Sequence, residues 1–249
     1  MESYRSGNVP EVIQNHENVA AHYDIPTINL AKEVTERIDA GEFTWEDDFK
    51  NLHPSPFGQE VYFRSLKAFL EKAWAGTVAE DDKIETYQQR DPIDHANYDN
   101  GKLILAENAK FVKGWKLVEN WNPEDGKGTR PNYVNVPMLV SQDVGSLLEF
   151  QFRGNAVGIA VAAGPHAGVI EFRIDEGNWQ KQDLFTRWSL SLHLPWYYTL
   201  AAGLEDGEHT LQIRLSGEKN PQSIGTACRI RYFYNHFSPP VFTKLFRCE

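Results

Sequence analysis

The spacing of hydrophobic and polar residues changes once along this chain, from a helical period in the first third to a period of two in the remainder. Between Pro10 and Tyr23, apolar residues recur every three or four positions, which predicts a helix. Residues 25–30 (IPTINL) predict a short strand, and residues 31–41 and 57–74 predict two more helices. This alternation of helix and strand is typical of a layered α/β arrangement.

The second pattern begins near residue 102, where apolar and polar residues alternate. The runs SLLEFQF, GVIEFRID, HTLQIRL and CRIRYFY each predict a strand with one buried face. In the last run the alternation assigns Cys228, Ile230, Tyr232 and Tyr234 to the same face. Turn sequences such as DEGN and EDGEH separate the runs, so we predict an antiparallel β-sandwich of jelly-roll type.

These two patterns predict an α+β chain in two parts. We assign residues 1–76 to a partial α/β segment, residues 77–101 to a polar linker, and residues 102–249 to the β-sandwich. One strand does not make a sheet, so we expect the first part to be the C-terminal remnant of a larger α/β domain. The open edge of its sheet would favour association, and we predict that the sandwich or a second copy of the chain covers it.

Composition and charge narrow the classes of function. The formal net charge of the 249 residues is -10, which argues against nucleic-acid binding. No apolar run approaches the roughly 18 to 20 residues that span a membrane. The N-terminal residues lack the apolar region of a signal peptide, so the compartment stays open, and a secreted or periplasmic one is compatible with a longer protein.

Metal and disulfide signals are weak in this sequence. His16, Glu17 and His22 fall on one predicted helix without the spacing of zinc ligands, so we predict no metal and no other cofactor. The two cysteines, Cys228 and Cys248, have no metal-ligand spacing, and the sequence leaves their pairing open.

The most specific local feature is residues 49–62, FKNLHPSPFGQEVY, in which His53 lies in a proline-flanked turn before a helix. A histidine near neutral pKa can act as general base for a serine when a carboxylate orients its other nitrogen. Ligands of open α/β sheets bind where the strands end, which suits a loop of this kind. The alternative is an ordinary turn histidine with a satisfied hydrogen bond.

Residues 9–75 resemble the last segment of the SGNH (GDSL-type) hydrolases, in which a helix and a strand lead into D-x-x-H-P, a small residue, glycine and the final helix. The resemblance implies a three-layer α/β/α fold and Ser-His-Asp hydrolysis of esters, often acetyl groups on polysaccharides. It implies that His53 is the catalytic histidine. Lys50 stands where the family has its aspartate, so the orienting carboxylate would be Asp48 or, second, Asp47.

The G-D-S nucleophile block and the two oxyanion blocks of that family do not occur before residue 75. The leading hypothesis is therefore the C-terminal part of an SGNH-like esterase that acts on carbohydrate or small esters. The alternative is a non-catalytic carbohydrate-binding or structural module that retains a relic histidine turn. A third hypothesis combines Asp47, Asp48 and His53 with His193 or Asp183 of the second part.

Residues 179–198, WQKQDLFTRWSLSLHLPWYY, form the most aromatic stretch of the chain. Aromatic faces can stack on sugar rings, although the same rings could instead fill a core or an interface. The surrounding order G-x-I-E-F-x-I-D…D-L-F…W-S…H…L-x-D-G-x-H-T-L-x-I is similar to the accessory β-domain of some SGNH-type carbohydrate esterases, which implies contact with sugar. The candidate carbohydrate-binding residues are Trp179, Arg187, Trp188, His193, Trp196 and Tyr197.

Overall fold

A computed structural model describes residues 1–76, 90–94 and 97–237 of the chain. The chain divides into two compact units, residues 1–95 and residues 96–249, which we call the helical unit and the β-unit. Most of the predicted linker and Cys248 lie outside the described residues. The pairing of the two cysteines therefore stays open, and the domain assignments made from the sequence stay predictions.

Short helices make up the described part of the helical unit. They are α1 (Glu2–Arg5), α2 (Glu11–His22), α3 (Leu30–Asp39), a π-helical turn (Trp45–Phe49) and α4 (Pro56–Ala73). The three predicted helices are confirmed as α2, α3 and α4. The buried residues Val34, Phe43, Phe49 and Val61 of this unit form one small hydrophobic cluster.

The prediction of a strand at residues 25–30 was wrong. Residues 25–29 are irregular, and Leu30 already begins α3. The side chain of Asn29 accepts a hydrogen bond from the amide of Lys32 at 3.0 Å, which caps that helix. A strand needs a neighbouring strand to satisfy its backbone, and the described part of the helical unit contains none. The predicted association through an open sheet edge stays a prediction.

The described part of the β-unit is one ten-stranded sheet with the central order β3-β5-β10-β6-β9-β7-β8, to which β1, β2 and β4 add at β10, β6 and β9. Within residues 97–237 the pairs of strands are antiparallel except the short pairing of β4 with β9. The strands are β1 (Gly101–Leu105), β2 (Lys110–Lys113), β3 (Lys116–Trp121), β4 (Gly128–Thr129), β5 (Val136–Ser141), β6 (Leu147–Ala163), β7 (Gly168–Ile174), β8 (Gln180–Asp183), β9 (Leu192–Lys219) and β10 (Cys228–His236). The antiparallel β part of the fold prediction is confirmed, and the jelly-roll type stays a prediction.

The main core lies on one face of this sheet, as the period of two predicts. The apolar residues of this period are buried in it: Leu148, Phe150 and Phe152 of β6, Ile170 and Phe172 of β7, and Leu211, Ile213 and Leu215 of β9. Strand β6 continues the pattern with Val157, Ile159 and Val161. Successive side chains of a strand point to opposite faces, so the intervening residues form a row of small side chains on the outer face. We call Ala156, Gly158, Ala160 and Ala162 the small-residue row.

Strand β10 departs from the face predicted for it. Cys228 and Ile230 are buried in the main core as expected, but Phe233, and not Tyr232 or Tyr234, is the next residue in that core. The register of β10 against β6 shifts between Ile230 and Tyr232, which marks a β-bulge. One extra residue reverses the faces that follow it. The tyrosines therefore lie on the outer face, which corrects the single-face prediction for CRIRYFY.

Candidate functional site

A groove of about 380 Å³ lies on the outer face of the β-unit, beside the small-residue row. We call it the tyrosine groove. Strands β1, β6, β9 and β10 contribute to it, together with the residues that precede β1. It is lined by Tyr98, Gly101, Lys102, Leu103, Ala156, Tyr197, Thr199, Tyr234, Asn235 and His236.

Tyr234 is positioned by a glycine beneath it. A Cβ atom at Gly158 would lie 2.2 Å from Cζ of Tyr234, so the phenol ring occupies the space that a side chain would need. The Tyr234 hydroxyl lies 3.0 Å from Oγ1 of Thr199 and is hydrogen-bonded to it. Burial raises the pKa of Tyr234, so its phenol stays protonated at neutral pH. The ring is therefore fixed against the sheet.

Two further tyrosines and a leucine leave apolar surface exposed around Tyr234. Tyr98 is 60%, Tyr197 55% and Leu103 58% exposed. The centroid of the Tyr197 ring lies 6.1 Å from that of Tyr234, with 55° between the ring planes. Large exposed apolar groups that cluster on one face mark interaction sites. This arrangement can stack against the flat apolar face of a ring-shaped ligand, with hydroxyl groups at its margin.

His236 closes one end of the tyrosine groove. Its side chain is 3% exposed, and its Nδ1 lies 2.8 Å from Oδ1 of Asn155. The Tyr98 ring meets the imidazole edge-on at 5.4 Å between centroids. His236 therefore fixes the position of Tyr98 at the groove and is itself shielded from solvent.

The histidine turn, residues 44–58, is held by local hydrogen bonds. The side chain of Ser55 caps α4 by accepting from the amide of Gly58 at 3.3 Å, and its hydroxyl donates to the carbonyl of Asp48. Oδ2 of Asp48 accepts from the amide of Thr44 at 2.8 Å. The amide of His53 donates to Oδ1 of Asn51 at 2.7 Å.

These bonds leave the three predicted catalytic residues separate. The His53 side chain is exposed, and its imidazole has no hydrogen bond to any side chain in the described part of the chain. The carboxylate of Asp48 is directed to Thr44, and Asp47 contacts Thr44 through its backbone amide. The structure does not bring either carboxylate to the imidazole, and the roles assigned to His53, Asp48 and Asp47 stay predictions.

The aromatic candidates do not form one surface. Trp179 lies under two guanidinium groups, with Cζ of Arg173 at 4.8 Å and that of Arg214 at 4.1 Å from its ring centroid. Arg187 and Trp188 pair with each other in an exposed turn. Trp196 is 40% exposed and does not line the tyrosine groove. Of the six candidates, Tyr197 lines that groove, and His193 lines a second cavity.

This second cavity, of about 540 Å³, we call the polar pocket. Its buried members are Trp121, Ser141 and His193. The polar groups Asp125, His166 and Arg229 also line it. Nε2 of His193 lies 3.0 Å from both carboxylate oxygens of Asp125. Asp183, proposed with His193 in the third hypothesis, does not line this pocket.

Sequence reasoning missed most of the residues at these two sites. Tyr98 lies just before the predicted sandwich, and Tyr234 was assigned to the wrong face. A usable signal was present in NAVGIAVAAG, where every second residue is small and leaves room for large side chains from adjacent strands. Asp125 and Arg229 carry no comparable signal.

No protein-family model matches this chain, and no curated protein matches it. Solved structures do match its fold. A two-domain esterase (CEX) active on acetylated mannans superposes with a TM-score of 0.68 at 14% sequence identity, covering 90% of this chain and 59% of that chain. The same esterase co-crystallized with mannopentaose gives a TM-score of 0.67 at 14% identity, covering 90% and 58%. The present chain thus spans less than two thirds of those chains.

At this identity the similarity establishes the fold alone: the chain has the fold of part of a two-domain esterase. A family two carbohydrate esterase from Cellvibrio japonicus superposes on 55% of this chain and 33% of its own, with a TM-score of 0.34 at 12% identity. That superposition is too partial to support an inference. None of the described helices is long and apolar enough to cross a membrane.

Proposed function

We propose that the β-unit binds carbohydrate through the tyrosine groove and serves an SGNH-like esterase that acts on esterified carbohydrate. One observation carries the binding part of this proposal. Tyr234 is held against Gly158 while Tyr98 and Tyr197 expose their rings beside it. Rigid aromatic rings provide contact area at low entropic cost, and sugar rings present apolar faces of matching shape.

The fold similarity supports the choice of ligand. The esterase that shares this fold acts on acetylated mannans, and one of its structures was co-crystallized with mannopentaose. Mannans and their acetylated forms are therefore the first ligands to test on this chain.

Isothermal titration calorimetry of the whole chain with mannopentaose and with acetylated mannan tests the proposal. We expect binding that Tyr197→Ala weakens about tenfold, equivalent to ~1.4 kcal/mol for the loss of a stacked ring. Trp188→Ala is the matched control, because Trp188 is an exposed aromatic residue outside the groove. Equal affinity of the wild type and Tyr197→Ala, or no binding of either ligand, would contradict the proposed site.

Ester hydrolysis by the chain itself is the second candidate function. It rests on the match to an esterase over 90% of this chain and on the exposed position of His53 before α4. In the SGNH mechanism His53 would take the proton of a serine, Asp48 would orient the imidazole, and backbone amides would hold the oxyanion.

A serine-directed fluorophosphonate, with peptide mass spectrometry and an aryl acetate assay, tests this second function. Labelling of one serine that disappears in His53→Ala would support hydrolysis and would identify the nucleophile. Absence of both labelling and turnover would leave carbohydrate binding as the function of this chain.

A further inference from the structure

The polar pocket lies toward the end of β6 opposite to the tyrosine groove. The groove includes Ala156 near the middle of β6, whereas Gly164 follows the last residue of that strand and contacts His193. Along β9 the two sites come closer, because Tyr197 of the groove and His193 of the pocket are four residues apart, roughly 13 Å of extended chain. A single sugar unit in one site therefore does not reach the other.

Asp125 is a positioned hydrogen-bond acceptor in this pocket. Its carboxylate accepts from Nε2 of His193 at 3.0 Å and from the amide of Lys127 at 3.1 Å. The His193 side chain is 2% exposed. Burial lowers the pKa of His193, so its neutral imidazole donates through Nε2. Burial alone would raise the pKa of Asp125, but the bonds from His193 and Lys127 hold it below its usual range.

Arg229 supplies a donor whose charge is not paired. Among the described residues it makes no ion pair, and its Nη1 is buried without a hydrogen-bond partner. Its guanidinium carbon lies 5.9 Å from the ring centroid of Trp121. A buried donor without a partner is destabilising, because it has given up its hydrogen bonds to water and gained none in return. Arg229 therefore has a donor available for a ligand acceptor, which the described residues of the β-unit do not provide.

His166 adds a third polar group at the same place. Its Nδ1 lies 3.6 Å from Oδ2 of Asp125, too far for a hydrogen bond, and has no other partner among the described residues. The imidazole therefore faces the carboxylate without being bound to it.

The charges around the pocket favour a neutral ligand. The lining includes the cations Lys116 and Arg229 and the anions Glu124, Asp125 and Asp143, so neither a cation nor an anion is attracted strongly. A hydroxyl group can donate to a carboxylate and accept from a guanidinium at the same time. Adjacent hydroxyls satisfy both kinds of group, which a simple ion does not.

We propose that the polar pocket is a second binding site, separate from the tyrosine groove, for a neutral polyhydroxyl ligand such as the end unit of a glycan. Asp125 accepts from one ligand hydroxyl, and Arg229 donates to the same or the adjacent one. The volume of about 540 Å³ lies within the range of roughly 300–1,000 Å³ for small-molecule sites. The proposal extends the proposed carbohydrate function but does not depend on the groove.

Saturation-transfer NMR titrations of the whole chain with methyl β-D-mannopyranoside, methyl β-D-glucopyranoside and the anionic methyl β-D-glucuronide test this site. We expect at least one neutral glycoside to bind, and Arg229→Gln to weaken that binding by about tenfold or more. Asp125→Asn should have a similar effect. Glu176→Gln is the matched control, because it neutralises an exposed carboxylate of the β-unit that lines neither cavity, and it should leave the affinity unchanged.

Arg229→Gln is the decisive variant, because it breaks no ion pair among the described residues, and a thermal melt checks that it folds. Tyr197→Ala should leave the binding of the glycoside intact. If Tyr197→Ala abolishes the signal, the glycoside binds in the groove and the second site is refuted while the proposed function stands. No neutral binding, indifference to both pocket variants, or tighter binding of the glucuronide would each overturn the proposal.

Discussion

The histidine turn and the tyrosine groove are opposite cases. In the turn, the predicted catalytic residues lie within seven positions of one another, and Thr44, Asp48 and Ser55 bond to neighbours in that same segment. In the groove, Tyr98, Tyr197 and Tyr234 come from distant segments and meet only through strand pairing. The turn is recognisable in the sequence, but the structure leaves its predicted catalytic residues apart. The groove is formed in the structure, but most of its residues were not predicted from the sequence.

The largest change in stability and binding is expected for Gly158→Ala, which tests whether the groove is a preformed site. The new Cβ would fall 2.2 Å from the Tyr234 ring and 2.4 Å from the carbonyl oxygen of Tyr198. We expect the β-unit to lose about 1–3 kcal/mol of stability through overpacking, and the tyrosine groove to lose its binding of mannopentaose. Calorimetry of unfolding and of binding measures both effects.

Gly207→Ala is the control for that variant, because a Cβ there meets no atom within 4 Å. Equal stability and binding of the two variants would show that Tyr234 does not depend on the glycine beneath it. The groove would then not be a preformed site.

Ser55→Ala at the histidine turn should have a smaller effect and should lower the stability of the helical unit by about 1 kcal/mol. The substitution removes the cap of α4 and the bond to the Asp48 carbonyl. Hydrogen exchange of amides 57–73 should become faster, while binding at the groove stays constant. Ser191→Ala removes an exposed hydroxyl bond in the β-unit and should not change exchange in α4. Unchanged exchange in Ser55→Ala would mean that the turn does not depend on its local bonds.

The stability of the β-unit should depend on pH because of His193. Burial lowers its pKa below the ordinary value near 6.5, so the unfolded chain binds a proton that the folded chain excludes. Stability should therefore fall as the pH drops below about 6.5. His193→Gln should flatten this part of the curve of unfolding free energy against pH. Parallel curves for the variant and wild type would rule His193 out as the cause.

The smallest effect is expected from His53→Ala. The imidazole is exposed and has no side-chain partner among the described residues, so stability should change by less than about 0.5 kcal/mol. Affinity for mannopentaose should not change either. Weaker binding in calorimetry would mean that the histidine turn contributes to the ligand site, and would remove the contrast between the two regions.

The sequence predicted much of the local structure for physical reasons that act over short distances. Helices α2, α3 and α4 follow from the spacing of their apolar residues, because their hydrogen bonds close within a few positions. The alternating runs also placed Leu148, Phe150 and Phe152 on the buried face. The strand at residues 25–30 failed because a strand depends on a partner that the run of six residues does not specify.

The two ligand sites could not be predicted in the same way. The bulge in β10 reverses the faces after Ile230, so alternation alone put Tyr234 in the core. Asp125 and Arg229 are separated by about a hundred positions and become neighbours of one cavity only through the order of the strands. His193 was predicted as a sugar contact from its aromatic surroundings, but its buried bond to Asp125 was not foreseeable.

By itself, then, the sequence determined helices α2, α3 and α4, the four strands with alternating residues, and the apolar side of three of those strands, β6, β7 and β9. It also determined the small-residue row, because Ala156, Gly158, Ala160 and Ala162 occupy every second position of one strand and therefore share a face. Only the tertiary structure decided which rings lie on that row and which charges meet in the polar pocket. Periodicity is a property of neighbouring residues, whereas a binding site is a set of distant residues brought together by register, and a single bulge is enough to change its members.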